Sequence, residues 1–242
     1  MGVVIGLVGA LVGRTLPSRI GYEDLTTSQE TERLKRAYGP HHYSQSMEEW
    51  IIRDVFRDRR EGSFVDVRSS HYRMLSNTFY LEERLGWSGI AIDPQAALEA
   101  DYKKFRPRTR FFPLFVSDVS NETTTVYVPR RSLPAASSSR QFAERFSGDI
   151  AEITAVPTVT LTDLLGRLRV ERIDLLSIDV ELSEPRVLAG FDIRRFEPAL
   201  VCIEAHADVR QQILDYFAKA GYVALGRYLR VDEGNLYFSP LQ

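Results

Sequence analysis

The 242-residue chain is 44% hydrophobic and 26% charged, the composition of a globular protein with enough length for one full core and short additions. Thirty-one Lys and Arg against 33 Asp and Glu leave a formal charge of −2, which gives no general attraction to a polyanionic backbone and argues against a nucleic-acid partner. The single cysteine, Cys202, can form no internal disulfide and reads as a small buried hydrophobe, as suits a cytoplasmic protein.

Residues 1–21 form an apolar tail whose first thirteen residues, MGVVIGLVGALVG, are too few to span a bilayer. A loose tail, a peripheral membrane contact through residues 1–13 and a cleaved signal are the open readings. Residues 22–60 read as a helical cap, with Met47, Trp50, Ile51, Val55 and Phe56 at helical spacing. The main domain, 61–242, opens with a strand at 63–67, a helix from about Ser76 closed by Gly86, a second strand at 88–93 stopped by Pro94, and a helix over 95–105. A third strand is expected at 110–116 and an extra edge strand at 123–128, followed by a Pro/Ser/Arg-rich loop whose Arg130, Arg131 and Ser137 to Arg140 either close over an acceptor or are solvated charge.

Alternation resumes with a strand at 156–161 and a helix opening at Thr162 and Asp163. The apolar runs 173–179 and 199–205 have the pattern of strands buried on both faces. A helix over 208–220 closed by Gly221 and a strand pair, 222–228 with 235–239, complete the chain. This order predicts an α/β doubly wound, mostly parallel sheet, with ligands beyond the carboxyl ends of its strands.

At those ends stand Asp66, Asp93, Asp118, Asp179 with Glu181, and Glu204 with His206. Carboxylates accept from ammonium, ribose hydroxyl and adenine amino groups, so together they suit a cofactor carrying all three, although each alone is as readily a turn or capping residue. Asp93, 27 residues beyond Asp66, suits a ribose-binding acid. Dinucleotides are disfavoured, because Val67-Arg68-Ser69-Ser70 contains no Gly-rich phosphate turn. No Cys/His cluster has zinc spacing and no metal is assigned, with Mg²⁺ gathered by Asp179, Glu181 and Glu204 as a minor alternative.

The segments FVDV, LSNTFYLEERLGWSGIAIDP, FPLFVSD, VPTVTLTDLL, IDLLSIDVELSEPRVLAGFDI and PALVCIEAH, in this order from about Glu49 onward, resemble the FkbM-like methyltransferases. The resemblance implies a Rossmann-like class I fold, a parallel sheet ending in an antiparallel strand pair, with S-adenosylmethionine as cofactor. It also implies O-methylation of a hydroxyl on a sugar, polyketide or other small metabolite. By it, Asp66, Val67, Arg68 and Ser69 would hold the methionine end, Asp93 and Pro94 the ribose, and Ser117 with Asp118 the adenine, with Asp179 beside them. The family pattern has Gly-Ala where this chain has Arg68-Ser69, and glycine where it has Leu182. Either that loop takes another conformation or the cofactor site is lost, which would leave a non-catalytic binding module. For proton removal the candidates are Glu181, Glu204 and His206, with a helix cap as the competing use of His206.

Overall fold

The computed structural model describes residues 27–129 and 150–241. The apolar tail and the Arg/Ser-rich loop lie outside them. No helix among the described residues is long and apolar enough to cross a membrane.

Helices α1 (Thr27–Tyr38) and α2 (Glu48–Phe56) precede the domain proper. Then follow β1 (Ser63–Val67), α3 (Phe79–Leu85), β2 (Ser88–Ile92), a 3-10 turn at Ala96–Leu98, α4 (Glu99–Phe105), β3 (Thr109–Phe112), β4 (Phe115–Val116) and β5 (Thr123–Pro129). The second half holds β6 (Ile150–Val159), α5 (Leu161–Arg167), β7 (Leu175–Ile178), α6 (Glu184–Ala189), α7 (Ile193–Phe196) and β8 (Leu200–Glu204). Helix α8 (Ala207–Ala220), β9 (Tyr222–Ala224), a 3-10 turn at Gly226–Tyr228 and β10 (Asn235–Pro240) end it.

Seven strands form the main sheet in the order β3-β2-β1-β7-β8-β10-β9. All neighbours pair in parallel except β10, which runs antiparallel to both β8 and β9. The chain steps outward from β1 to β3, then returns to place β7 on the other side of β1, so the order reverses between β1 and β7 and opens a crevice beyond Val67 and Ile178. The two-residue periodicity of the strands divides the core. Val65, Val67, Leu176, Ile178, Val201 and Ile203 face Leu161, Leu164, Ile213 and Phe217, whereas Phe64, Leu175, Leu200 and Cys202 face Leu34, Trp50, Ile51 and Trp87. The N-terminal cap is thus one of the layers that cover the sheet.

Asp54 ties that cap down. Its carboxylate accepts from Arg33 at 2.7 Å, Tyr38 at 2.8 Å, Arg227 at 2.7 Å and Tyr228 at 2.6 Å. Nearby, Glu48 is 6% exposed and accepts from the Ser46 backbone at 2.6 Å and from Asn235 at 3.1 Å. Burial, with Asp232 close by, pushes its carboxyl up to about 7. The folded protein therefore holds this proton more tightly than the unfolded chain, whose Glu titrates near ~4.3, and stability is lost as pH rises from that value through about 7. Asp66 and Glu184, also raised by burial, act in the same sense. Glu48→Gln should unfold at higher temperature than the wild type at pH 8, by at most about 3 kcal/mol of stability, and should flatten the decline between pH 5 and 8. Equal pH dependence in the two proteins would contradict this.

Several elements differ from the sequence expectation, among them the strand expected at 222–228, which ends at Ala224 and gives way to the 3-10 turn at Gly226–Tyr228. The stretch expected as one strand at 110–116 breaks at Pro113 into β3 and β4, which join different sheets. The strand expected at 156–161 begins earlier, as β6, and pairs with β4 and β5 in a separate three-stranded sheet rather than in the main one. Helices α6 and α7, of six and four residues, are too short to leave a periodic signal. Between them Gly190 packs on the chain after β4, where an added Cβ would lie 2.3 Å from the Ser117 carbonyl oxygen. Gly190→Ala should cost about 1–3 kcal/mol, read by thermal unfolding, because backbone cannot rotate away.

Candidate functional site

The crevice beyond β1 and β7 is framed by two turns in which side chains occupy left-handed backbone. Arg68 has φ 66° and Ser70 φ 52° after β1, and Glu181 has φ 53° and Leu182 φ 72° after β7. Such residues cost on the order of 1–2 kcal/mol each relative to glycine. Arg68 and Leu182 are the two positions where the resemblance places glycine, and the backbone keeps a glycine-like conformation at both. The turn after β1 is anchored to β2 by Arg68 and Ser69 N–H groups donating to the Ile92 carbonyl at 2.7 and 3.2 Å.

Arg68 folds its side chain into the crevice, where it is 9% exposed. Nη1 donates to Asp179 Oδ1 at 3.0 Å and to Glu181 Oε1 at 3.1 Å. Beside it lies a small open pocket lined by Val67, Arg68, Ile92, Pro94, Leu114 and Val180, together with Phe115 and Val116. Apart from Arg68, every side chain that lines it is apolar.

Of the residues expected to hold the cofactor, Val67, Arg68 and Pro94 line this pocket, whereas Asp66, Ser69, Asp93, Ser117, Asp118 and Asp179 are not in its lining. Asp66 is buried and accepts from the Thr78 hydroxyl at 2.7 Å; burial pushes its carboxyl up to about 6 against that hydrogen bond. Asp93, 1% exposed, accepts from the Ser70 and Gln95 backbone N–H groups, each at 3.0 Å, and burial raises its pKa against them. It braces the two loops that shape the cavity. Ser69 is buried, its carbonyl accepting from Tyr102 at 3.2 Å. Buried Ser117 donates to Asp118, whose more exposed carboxylate pairs with Arg186 at 2.8 Å.

The candidate proton acceptors do meet. His206 Nε2 lies 3.1 Å from Glu204 Oε1 and 3.4 Å from Glu181 Oε2. These three atoms fall within 4.8 Å of one another, a spacing that a divalent cation could also bridge. The capping use of His206 is not what the structure shows: the residue sits at the N-cap of α8, but its side chain makes no capping hydrogen bond. Burial first, then Asp179 and Glu181, pushes the Glu204 carboxyl up to about 10, so it is protonated at neutral pH. Glu181 is raised too, by burial opposed by Arg68.

Sequence reasoning missed the support behind β1. Arg106, 1% exposed, donates to Glu82 at 2.6 Å, to the Tyr72 carbonyl at 2.9 Å and to the Thr78 carbonyl at 3.2 Å. It fixes the loop that carries Thr78 to Asp66. Asn77 reaches across to Ser177 of β7 at 3.0 Å. The only sequence signal was an arginine next to a helix end, which is common on surfaces.

No curated protein matches the chain. Among solved structures it is similar to a TehB-like SAM-dependent methyltransferase from Corynebacterium glutamicum, at 13% identity and TM-score 0.43 over 88% of this chain and 96% of that one. It is similar to a methyltransferase from Geobacter sulfurreducens at 13% and 0.43, over 96% and 93%. A SAM-dependent methyltransferase from the same organism, in complex with S-adenosyl-L-homocysteine, aligns at 12% and 0.39 over 83% and 76%. All three likenesses are distant. The sequence match is to the methyltransferase FkbM domain and takes in residues 60–224, from the end of the cap to β9. With a parallel sheet that ends in an antiparallel strand pair, as class I methyltransferases have, this chain belongs to the FkbM family of S-adenosylmethionine-dependent methyltransferases.

Proposed function

We propose that the enzyme methylates a hydroxyl oxygen of a small metabolite, a sugar or similar polyol, with the cofactor's adenosine part in the cavity beside Val67 and Pro94. The observation that carries this reading is His206, held against Glu181 and Glu204 at the ends of β7 and β8, next to Arg68 at the cavity rim. The cavity suits the group: Ile92, Pro94, Leu114 and Val116 offer apolar walls to a purine, and Arg68 with Asp179 and Glu181 supplies both signs of charge for an amino-acid end.

Bound S-adenosylmethionine supplies an electrophilic methyl group. A neutral hydroxyl is a poor nucleophile, and the proton it loses needs an acceptor near the reacting oxygen. Glu204 already holds a proton at neutral pH, which removes it from that role and makes it the residue that orients the imidazole. His206 takes the proton, and the charge gained is stabilised by Glu181, whose other oxygen stays on Arg68.

The test is incubation with S-adenosylmethionine ¹³C-labelled in the methyl group and a low-molecular-weight metabolite extract, followed by carbon NMR of the product. A methyl on oxygen is expected. Label on nitrogen or carbon, or on a macromolecule added in parallel, would overturn the reading.

A further inference from the structure

Glu181, Glu204 and His206 come together from the turn after β7, the end of β8 and the start of α8. His206 Nε2 stands 3.1 Å from Glu204 Oε1 and 3.4 Å from Glu181 Oε2, and one donor atom from each residue falls within 4.8 Å of the others. Around a tetrahedral ion with bonds of ~2.0–2.2 Å, neighbouring donors lie about 3.4 Å apart. Small rotations of the two carboxylates therefore bring all three donors onto one ion.

Three observations beyond the donor set point the same way. Glu204 Oε2 is buried without a hydrogen-bond partner, which leaves that carboxylate short of contacts for its burial. Arg68 balances one of the two charges on Asp179 and Glu181, and ionised Glu204 adds another, so two negative charges remain for a divalent ion to match. His206 is 41% exposed, which gives an ion an entry path.

We infer that Glu181, Glu204 and His206 form a site for a zinc-like transition-metal ion, which occupies the imidazole lone pair and blocks methyl transfer. The imidazole decides the class of ion: a nitrogen donor suits zinc, copper or nickel, whereas magnesium favours oxygen ligands and keeps its waters. The ion takes the place of the proton on Glu204, which passes to solvent. Arg68 and the N-terminus of α8 set positive charge against the ion, so it is exchangeable rather than permanently held. The block rests on His206 being the proton acceptor of the proposed reaction; the metal site does not.

Calorimetry on the untagged chain with Zn²⁺, and with Mg²⁺ in parallel, tests the site. Wild type should take up zinc at micromolar concentrations and no magnesium. His206→Ala should weaken zinc binding by at least about 100-fold, beyond the ~10–100-fold typical of residues that only support a ligand. His206→Cys, which restores a zinc donor, should recover most of the affinity, and His41→Ala, at an exposed imidazole, should bind as wild type does. Recovery by cysteine separates a lost ligand from a misfolded variant. Methyl transfer by wild type should be inhibited over the same zinc range and restored by a chelator.

Absence of zinc binding, binding that His206→Ala leaves unchanged, or a loss that His206→Cys does not relieve overturns the metal site and leaves the proton-acceptor reading standing. Magnesium bound as tightly as zinc overturns the class of ion. Zinc bound through His206 with full activity retained overturns the block and the proton-acceptor reading together, and leaves the metal site in place.

Discussion

Arg106→Ala is expected to lower the free energy of unfolding by about 3–5 kcal/mol, measured by urea denaturation at neutral pH. The guanidinium is 1% exposed and holds Glu82, itself buried, at 2.6 Å. Glu82 also accepts from the Arg108 backbone at 2.8 Å and from the Thr109 hydroxyl, so it binds the start of β3 to α3. Removing the arginine leaves a carboxylate in the interior without its ion-pair partner, and frees the carbonyls of Tyr72 and Thr78. The damage reaches the crevice, because Thr78 is the residue that steadies Asp66 at 2.7 Å. Adding Glu82→Gln to Arg106→Ala should recover part of the loss, since the stranded charge is then removed too. A cost below about 1 kcal/mol for the single variant would show that the pair is not what holds the 69–78 loop.

His206→Ala is expected to reduce kcat by about 10²- to 10⁴-fold and to leave the affinity for S-adenosylhomocysteine within about twofold. The split follows from where the imidazole lies: it contacts Glu181 and Glu204, and it is absent from the cavity wall. Glu204→Gln keeps a neutral group of the same shape where the native side chain is already protonated, so a milder fall, about tenfold, is expected from lost orientation of the imidazole. Steady-state kinetics on the acceptor identified by methyl labelling gives both numbers. Equal kcat for wild type and His206→Ala would assign the proton to solvent and remove His206 from the reaction.

Much of the scaffold was legible because it depends on local patterns. The runs at 173–179 and 199–205 are apolar on both faces, and β7 and β8 are buried on both faces. Gly86 and Gly221 close α3 and α8 at φ 73° and 79°. What escaped depends on partners distant in sequence. The stretch that became β6 alternates as any half-buried strand does, and nothing local states that its neighbours are β4 and β5 rather than β7. Asp54 looks like any helix-surface acid in the sequence, yet four side chains from two ends of the chain converge on it.

The site divides in the same way. Acids at strand ends could be listed from the sequence, but their orientation could not. Asp93 turns both oxygens to backbone N–H groups, whereas Asp179 and Glu181 turn to Arg68. Arg68 itself read as a departure that pointed to a displaced turn or a lost site. The turn has left-handed backbone at Arg68, and the guanidinium is held at Nη1 by Asp179 and Glu181, with Nη2 buried and without a hydrogen-bond partner. A sequence can show that glycine is missing; only the fold shows whether the side chain replacing it has partners.

The most direct test of the cofactor site is backbone hydrogen exchange with and without saturating S-adenosylhomocysteine. Slower exchange at 67–70, 92–95 and 114–118, which border the cavity, with little change in α1 and α2, is the expected result. Protection confined to other parts of the chain, or none under conditions where the ligand is bound, would contradict the placement of the cofactor beyond β1 and β2.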